Sequence, residues 1–392
     1  MTNHFATGMT KAAALTKAGR LTEATAMIQS LLANREPKPT VAPDRTLPDH
    51  TVIEGTFTRV NDSGAADVAT APPAPHAAPP SHRTSLRETL RKIAAGGMPV
   101  QTPFAKKMPP LPAGARFITL THSDGHARRD FKLYIPAMQP SASMPLIVML
   151  HGCTQSPDDF AAGTGMNALA ERLGMLVVYP AQPTGANANK CWNWFKPEDQ
   201  ARDRGEPALI AGLTRDVLRD YPVDPARIYI AGLSAGGAAA AIVAAAYPDL
   251  FSAAGVHSGL PVGAASDIPQ AFSAMRTGAK GKALANAVPT IVIHGLADGT
   301  VHPSNGTAVV TQTVQAFDGL TASVRNGVSA GGRSFRQTSF DSGDGRSMCE
   351  HWEIEGAGHA WAGGKPEGSF TDPSGPAASE EMLRFFLQHE RG

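Results

Sequence analysis

The spacing of apolar positions divides the chain into three stretches. Over residues 1–35, Leu15, Leu21, Ala24, Met27, Ile28, Leu31 and Leu32 fall at helical intervals, with Gly19 between two runs, and predict a helical hairpin. A single such pair has no neighbour to stack on, so it is expected to dock on a partner or on the main domain. Residues 36–112 turn to Pro, Ala, Thr and Ser, densest at Ala71-Pro72-Pro73-Ala74-Pro75. So little apolar surface cannot offset the entropy of ordering the segment, which therefore reads as linker. One short helix interrupts it: Ser85 and Glu88 form a capping box, and Leu86, Leu90 and Ile93 share a face.

From residue 113 onward, short β-branched runs alternate with longer helical ones. The pattern predicts strands at 131–135, 146–150, 176–179, 228–231, 253–256, 290–294 and 351–355. It predicts helices at 160–172, 209–220, 238–247, 306–317 and 379–389. Strands apolar on both faces and joined by crossover helices imply an α/β domain over 113–392 with a doubly wound, mostly parallel sheet. In such sheets, active sites lie at the carboxyl ends of the strands.

Composition narrows the function classes. A net charge of +1, from 35 Lys+Arg against 34 Asp+Glu, supplies no field for a polyanion, so nucleic acid is not an expected partner. Three cysteines, Cys153, Cys191 and Cys349, make no disulfide framework but allow one pair and one free thiol. No apolar run is long enough to span a bilayer, and Thr, Gly and Glu interrupt the residues around Lys11, Lys17 and Arg20 where a secretory leader would need an apolar core. Neither metal-ligand spacing nor a phosphate-binding glycine loop occurs, so no metal and no cofactor are expected.

The chemistry concentrates at three predicted strand ends. Ile228-Tyr229-Ile230-Ala231 runs into Gly232-Leu233-Ser234-Ala235-Gly236-Gly237 and then an alanine-dense helix. That is the strand, tight turn and helix of a G-x-S-x-G nucleophile elbow, with Ser234 thrust outward between glycines. The backbone N–H of Ala235 becomes the first oxyanion donor. The strand at 290–294 leads into Gly295-Leu296-Ala297-Asp298, which places Asp298 where a carboxylate orients an imidazole. The strand at 351–355 leads into Gly356-Ala357-Gly358-His359, whose glycines let His359 fold inward as general base. Asp267, Asp318 and Asp341 lack a strand directly before them. His151 and His294 are read as shaping turns. The loop His151-Gly152-Cys153-Thr154-Gln155 follows the strand at 146–150 and offers the second oxyanion donor, the N–H of Cys153 or alternatively of Thr154.

Together these residues resemble the polyhydroxybutyrate depolymerase family of esterases, close to feruloyl and acetylxylan esterases of the α/β-hydrolase fold. The resemblance runs from about residue 129 to the C-terminus. It rests on Tyr134-Ile135-Pro136, Leu150 to Gln155, Cys191-Trp192-Asn193-Trp194-Phe195, Gly232 to Gly237, His294-Gly295 with Asp298, and Gly358-His359-Ala360-Trp361 with Gly363-Gly364. It implies cofactor-free hydrolysis of carboxylic esters by Ser234, His359 and Asp298, on polyhydroxyalkanoate or short hydroxyacyl esters. A feruloyl or acetylxylan esterase is the alternative, and a non-catalytic polymer-granule binder or an acyltransferase a remoter one. Trp192, Asn193, Trp194 and Trp361 are expected either to line a cleft for an apolar polyester or to pack in the core. Cys191 is expected either to pair with Cys153, tying the aromatic loop to the oxyanion loop, or to remain free. An extracellular location follows from the resemblance, with the cytoplasm as the alternative because no leader is recognisable.

Overall fold

The computed structural model describes residues 110–123, 128–137 and 143–392. The helical hairpin expected at 1–35 and the linker with its short helix, up to residue 109, lie outside the described residues. Twelve strands are described: β1 (Arg116–Ser123), β2 (Arg128–Ile135), β3 (Met144–Leu150), β4 (Leu176–Pro180), β5 (Val223–Leu233), β6 (Ala253–His257), β7 (Thr290–Gly295), β8 (Thr321–Val328), β9 (Ser334–Asp341), β10 (Ser347–Ile354), β11 (Trp361–Ala362) and β12 (Thr371–Asp372). The α-helices are α1 (Pro157–Thr164), α2 (Met166–Leu173), α3 (Gly205–Asp220), α4 (Ala235–Ala246), α5 (Ile268–Thr277), α6 (Ser304–Val314) and α7 (Ala378–Phe386).

Ten strands form one sheet in the order β1-β2-β4-β3-β5-β6-β7-β10-β9-β8, and β11 pairs with β12 apart from it. Its centre, β4-β3-β5-β6-β7-β10, is parallel throughout. The flanks β1-β2-β4 and β10-β9-β8 are antiparallel. The parallel strands carry the continuous apolar runs because both faces are covered. On β3, Leu146, Val148 and Leu150 point into a core shared with Ile210 and Leu213 of α3 and Ile242 and Val243 of α4. Ile147 and Met149 point the other way, to Phe160 of α1, Met166 of α2 and Met382 and Phe386 of α7. Alternation of side chains along each strand thus builds two cores on one sheet.

The single helix expected at 160–172 is two helices. Gly165, at φ +64°, ends α1, and a side chain there would run into Lys365. The start of α1 is fixed by Ser156, whose hydroxyl accepts the N–H of Asp159 at 3.2 Å. Strands β1, β8, β9, β11 and β12 and helix α5 are additions to the predicted set.

Candidate active site

The turn from β5 into α4 is the sharpest point of the fold. Ser234 sits at φ 59°, ψ −120°, a region L-residues rarely adopt and one that costs on the order of 1–3 kcal/mol. Its backbone is held there from both sides: its N–H donates to His257 O at 2.9 Å, and its carbonyl accepts the Ala238 N–H at 3.0 Å. Glycine is required at 232 and 236 by close approach. A methyl at Gly232 would run into the Gly236 backbone, and one at Gly236 into Leu150 O and, at 2.6 Å, His151 O. The elbow therefore seats directly on the end of β3. A Cβ built at Gly152 would stand 3.7 Å from Ser234 Cβ. The loop after β3 is thus at the serine's side.

The acid and the base meet across adjacent strand ends. β7 and β10 are parallel, with Gly295 opposite Ile354, and the loops beyond them are stitched by Leu296 N–H to Ile354 O and Ala297 N–H to Ala357 O, both 2.9 Å. Asp298 Oδ1 accepts the N–H groups of Thr300 at 2.8 Å and Val301 at 2.9 Å. Asp298 Oδ2 accepts Nδ1–H of His359 at 2.7 Å. Because a carboxylate only accepts, this contact puts the proton on Nδ1 and leaves Nε2 as a base. Burial pushes the Asp298 carboxyl up, but hydrogen bonds from His294 and His359 and the Val301 N–H outweigh it and hold the group well below the usual carboxylate range. The Asp298 side chain has no exposed surface and that of His359 is 12% exposed.

Ser234 lies one residue past Leu233, which pairs with His257 of β6, itself opposite Ile293 of β7. All three predicted triad residues therefore occupy one edge of the sheet. Among the described residues no hydrogen bond joins Ser234 Oγ to the His359 ring. Such bonds are often long in unliganded enzymes and tighten with substrate.

The two expected oxyanion donors are unengaged among the described residues. The N–H of Thr154, the alternative donor, goes to Asn189 O at 2.7 Å. The Ala235 N–H opens α4, where first-turn N–H groups have no intrahelical acceptor. Cys153 and Cys191 form a disulfide, so the pairing alternative holds, and the aromatic loop is covalently tied to the loop after β3. Cys349 is free and buried.

The cleft-lining alternative for the aromatics is corrected. Trp192 is 0% and Trp361 1% exposed. Their indole N–H groups donate to His151 O and to Ser379 Oγ, both at 3.0 Å. Trp194 is buried edge-on to Phe195, and Asn193 is buried with its backbone N–H and Nδ2 both on Glu206, at 2.7 Å each. These residues hold loops in place and present almost no surface. Asp267 is accounted for as the N-cap of α5, accepting the Gln270 N–H at 2.8 Å.

Three groups contribute more than the sequence suggested. His294 Nε2–H donates to Val301 O at 2.9 Å and lies 3.4 Å from Asp298 Oδ2, so it braces the acid. His257 accepts the Ala362 N–H at 3.0 Å and stacks on Trp361, anchoring the chain just beyond His359. Gln155 Oε1 accepts the Gly152 N–H at 2.9 Å. For each, the signal was a polar residue at a strand end or turn with no charge partner in sequence.

Among the described residues, no group of His, Cys, Asp or Glu is arranged to hold a metal ion, and no helix is long and apolar enough to cross a membrane. An elbow serine after β5 and a carboxylate and imidazole after β7 and β10 define the α/β-hydrolase fold class. The chain belongs to the family described as Esterase PHB depolymerase, which its residues 129–331 match. That match spans Ser234 and Asp298 and ends before His359.

Among curated proteins, the chain is 34% identical over 240 residues to poly(3-hydroxyalkanoate) depolymerase C of Paucimonas lemoignei, covering 58% of this chain and 57% of that one. It is 29% identical over 197 residues to feruloyl esterase B of Neurospora crassa, covering 44% and 66%. This chain thus spans less than two thirds of either relative's length. Among solved structures, acetyl xylan esterase from Aspergillus awamori is similar over 70% of this chain and 99% of that one, with a TM-score of 0.55 at 19% identity. That likeness concerns the fold.

Proposed function

We propose that this chain is a serine esterase that hydrolyses carboxylic esters through an acyl-enzyme, acting on polyhydroxyalkanoate or shorter hydroxyacyl esters. The observation that carries the reading is the Asp298–His359 hydrogen bond at the same sheet edge as the strained elbow serine. His359 Nε2 removes the proton from Ser234 Oγ as Oγ attacks the ester carbonyl. The oxyanion is received by the N–H groups of Cys153 and Ala235, with the N-terminal end of the α4 dipole behind them. His359 then protonates the departing alkoxide, and water repeats the sequence on the acyl-serine. No cofactor takes part.

The hydroxyalkanoate preference is supported by the family and by the Paucimonas relative's name. The feruloyl and acetylxylan esterases among the relatives define the competing substrate class. The Cys153–Cys191 disulfide supports an oxidising compartment outside the cytoplasm. Purified protein should release p-nitrophenol from p-nitrophenyl butyrate and hydroxybutyrate from oligomers or a polymer emulsion, and Ser234→Ala should do neither. Release of ferulate or acetate from sugar esters with no action on hydroxybutyrate esters would transfer the assignment to the second class. Full turnover by Ser234→Ala would remove the mechanism.

A further inference from the structure

Behind the oxyanion loop lies a buried polar cluster that the reaction itself does not use: Arg129, Gln182, Asn193, Asp199 and Glu206, each no more than 8% exposed. Gln182 is its hub. Its Oε1 accepts from Arg129 Nη1, and its Nε2 donates to Glu206 Oε1 at 2.5 Å and to Cys191 O at 2.8 Å. A guanidinium only donates and a carboxylate only accepts, so the two charges dictate which way the Gln182 amide faces. Glu206 also holds the far end of the same loop, through the Asn193 N–H and Nδ2. Its own N–H is taken by Asp199 Oδ1 at 2.7 Å, which fixes the first turn of α3.

The loop so held, residues 182–193, wraps His151. The Gln182 N–H donates to His151 Nε2 at 3.1 Å, and Trp192 Nε1–H donates to His151 O at 3.0 Å. With Nε2 accepting, His151 carries its proton on Nδ1 and donates it to Gly152 O at 2.7 Å. That carbonyl belongs to the same planar peptide unit as the Cys153 N–H, and in a trans peptide the two point in opposite directions. Whatever fixes the Gly152 carbonyl therefore aims the Cys153 N–H.

We propose that Glu206 is a positioning residue for the oxyanion hole, acting through Gln182 and His151 to orient the peptide that presents the Cys153 N–H to the reacting carbonyl. The inference rests on the esterase reading. It explains why a carboxylate is retained at a buried site where burial, with Asp199 adding to it, raises its pKa. A neutral amide of the same shape could not accept at both ends, as Glu206 does at Oε1 from Gln182 Nε2 and Asn193 Nδ2 and at Oε2 from the Asn193 N–H. Glu206 touches no substrate; its effect is transmitted through three hydrogen bonds.

The test is Glu206→Gln in the full chain, with turnover counted per active site titrated by a fluorophosphonate. Loss of one oxyanion donor costs on the order of a hundredfold or more in rate, and a misdirected donor should cost part of that. We expect kcat per titrated site on p-nitrophenyl butyrate to fall at least tenfold and KM to change less than threefold. Affinity for a trifluoromethyl ketone, which forms the tetrahedral oxyanion, should weaken in parallel with kcat. A merely structural role would lower the number of titratable sites and leave kcat per site at the wild-type value, and that result would overturn the proposal. If Glu206→Gln does not fold, Gln182→Met cuts the same path from the loop side and is read by the same two criteria. A wild-type protein that neither titrates nor turns over ester would sink the esterase reading first, so the two failures are distinct.

Discussion

Asp298→Asn removes one charge and keeps every heavy atom position, and the surrounding donors decide how the substituted amide must sit. Oδ1 receives two backbone N–H groups, from Thr300 and Val301, so the amide oxygen of asparagine must take that place. The NH2 group is then forced into the Oδ2 position, 2.7 Å from His359 Nδ1 and 3.4 Å from His294 Nε2. Donor would face donor unless His359 moves its proton to Nε2, and in that tautomer the ring has no lone pair for the Ser234 hydroxyl. The expected loss is the wrong-tautomer penalty known for serine-protease triads, about 10⁴-fold in kcat. That corresponds to about 5.5 kcal/mol of transition-state stabilisation. Steady-state hydrolysis of p-nitrophenyl butyrate reads it directly, with circular dichroism to show an intact fold. A variant that keeps kcat within tenfold of wild type would refute the claim that Asp298 fixes the His359 tautomer.

Further outcomes are set by the same geometry. Gly236→Ala should abolish activity and lower the thermal midpoint or solubility, because its methyl meets the Leu150 and His151 carbonyls; normal activity in this variant would show that the elbow does not seat on β3. Replacing both Cys153 and Cys191 with Ala opens a loop with a sequence separation of 38 and should cost about 2–4 kcal/mol in urea unfolding; an unchanged midpoint would contradict this. Stability should also fall in mild acid. Burial lowers His151 to about 4 and His257 to about 3, so the unfolded chain, with histidines near 6.5, binds the extra protons. Stability is therefore full above about pH 6.5 and declines as pH falls toward about 4, by up to about 2 kcal/mol per histidine at pH 5. Equal urea midpoints at pH 7 and pH 5 would refute it.

The parts of this molecule that were legible in the sequence are those where one requirement acts alone. β3, β4, β6 and β7 are buried on both faces, so their residues had to be apolar without interruption, and the runs announced the parallel centre of the sheet. β8 has no buried residue and β1 has one, so no period-2 pattern marks them. α1 and α2 read as one helix because their apolar spacing continues across Gly165, and only the left-handed backbone there separates them. Ser234, Asp298 and His359 stood out because each directly follows a strand and keeps glycine close by. The aromatic run at 191–195 was ambiguous for a physical reason. A tryptophan carries the same apolar body and the same N–H whether it meets a ligand or the core, and only the acceptors His151 O and Ser379 Oγ decide for Trp192 and Trp361. Within the Gln182–Glu206 cluster, Asn193 stood out but as a cleft residue, and nothing in the sequence tied it to Glu206, 13 residues on, or tied Gln182 to Arg129 on β2.

The central claim is that the hydroxyl of Ser234 is a nucleophile made reactive by His359. Treatment with a fluorophosphonate and then peptide mass mapping tests it most directly. The account predicts a single adduct on Ser234, absent in Ser234→Ala and formed at least a hundredfold more slowly in His359→Ala. An adduct on another residue, or labelling of Ser234 at an undiminished rate without His359, would contradict it.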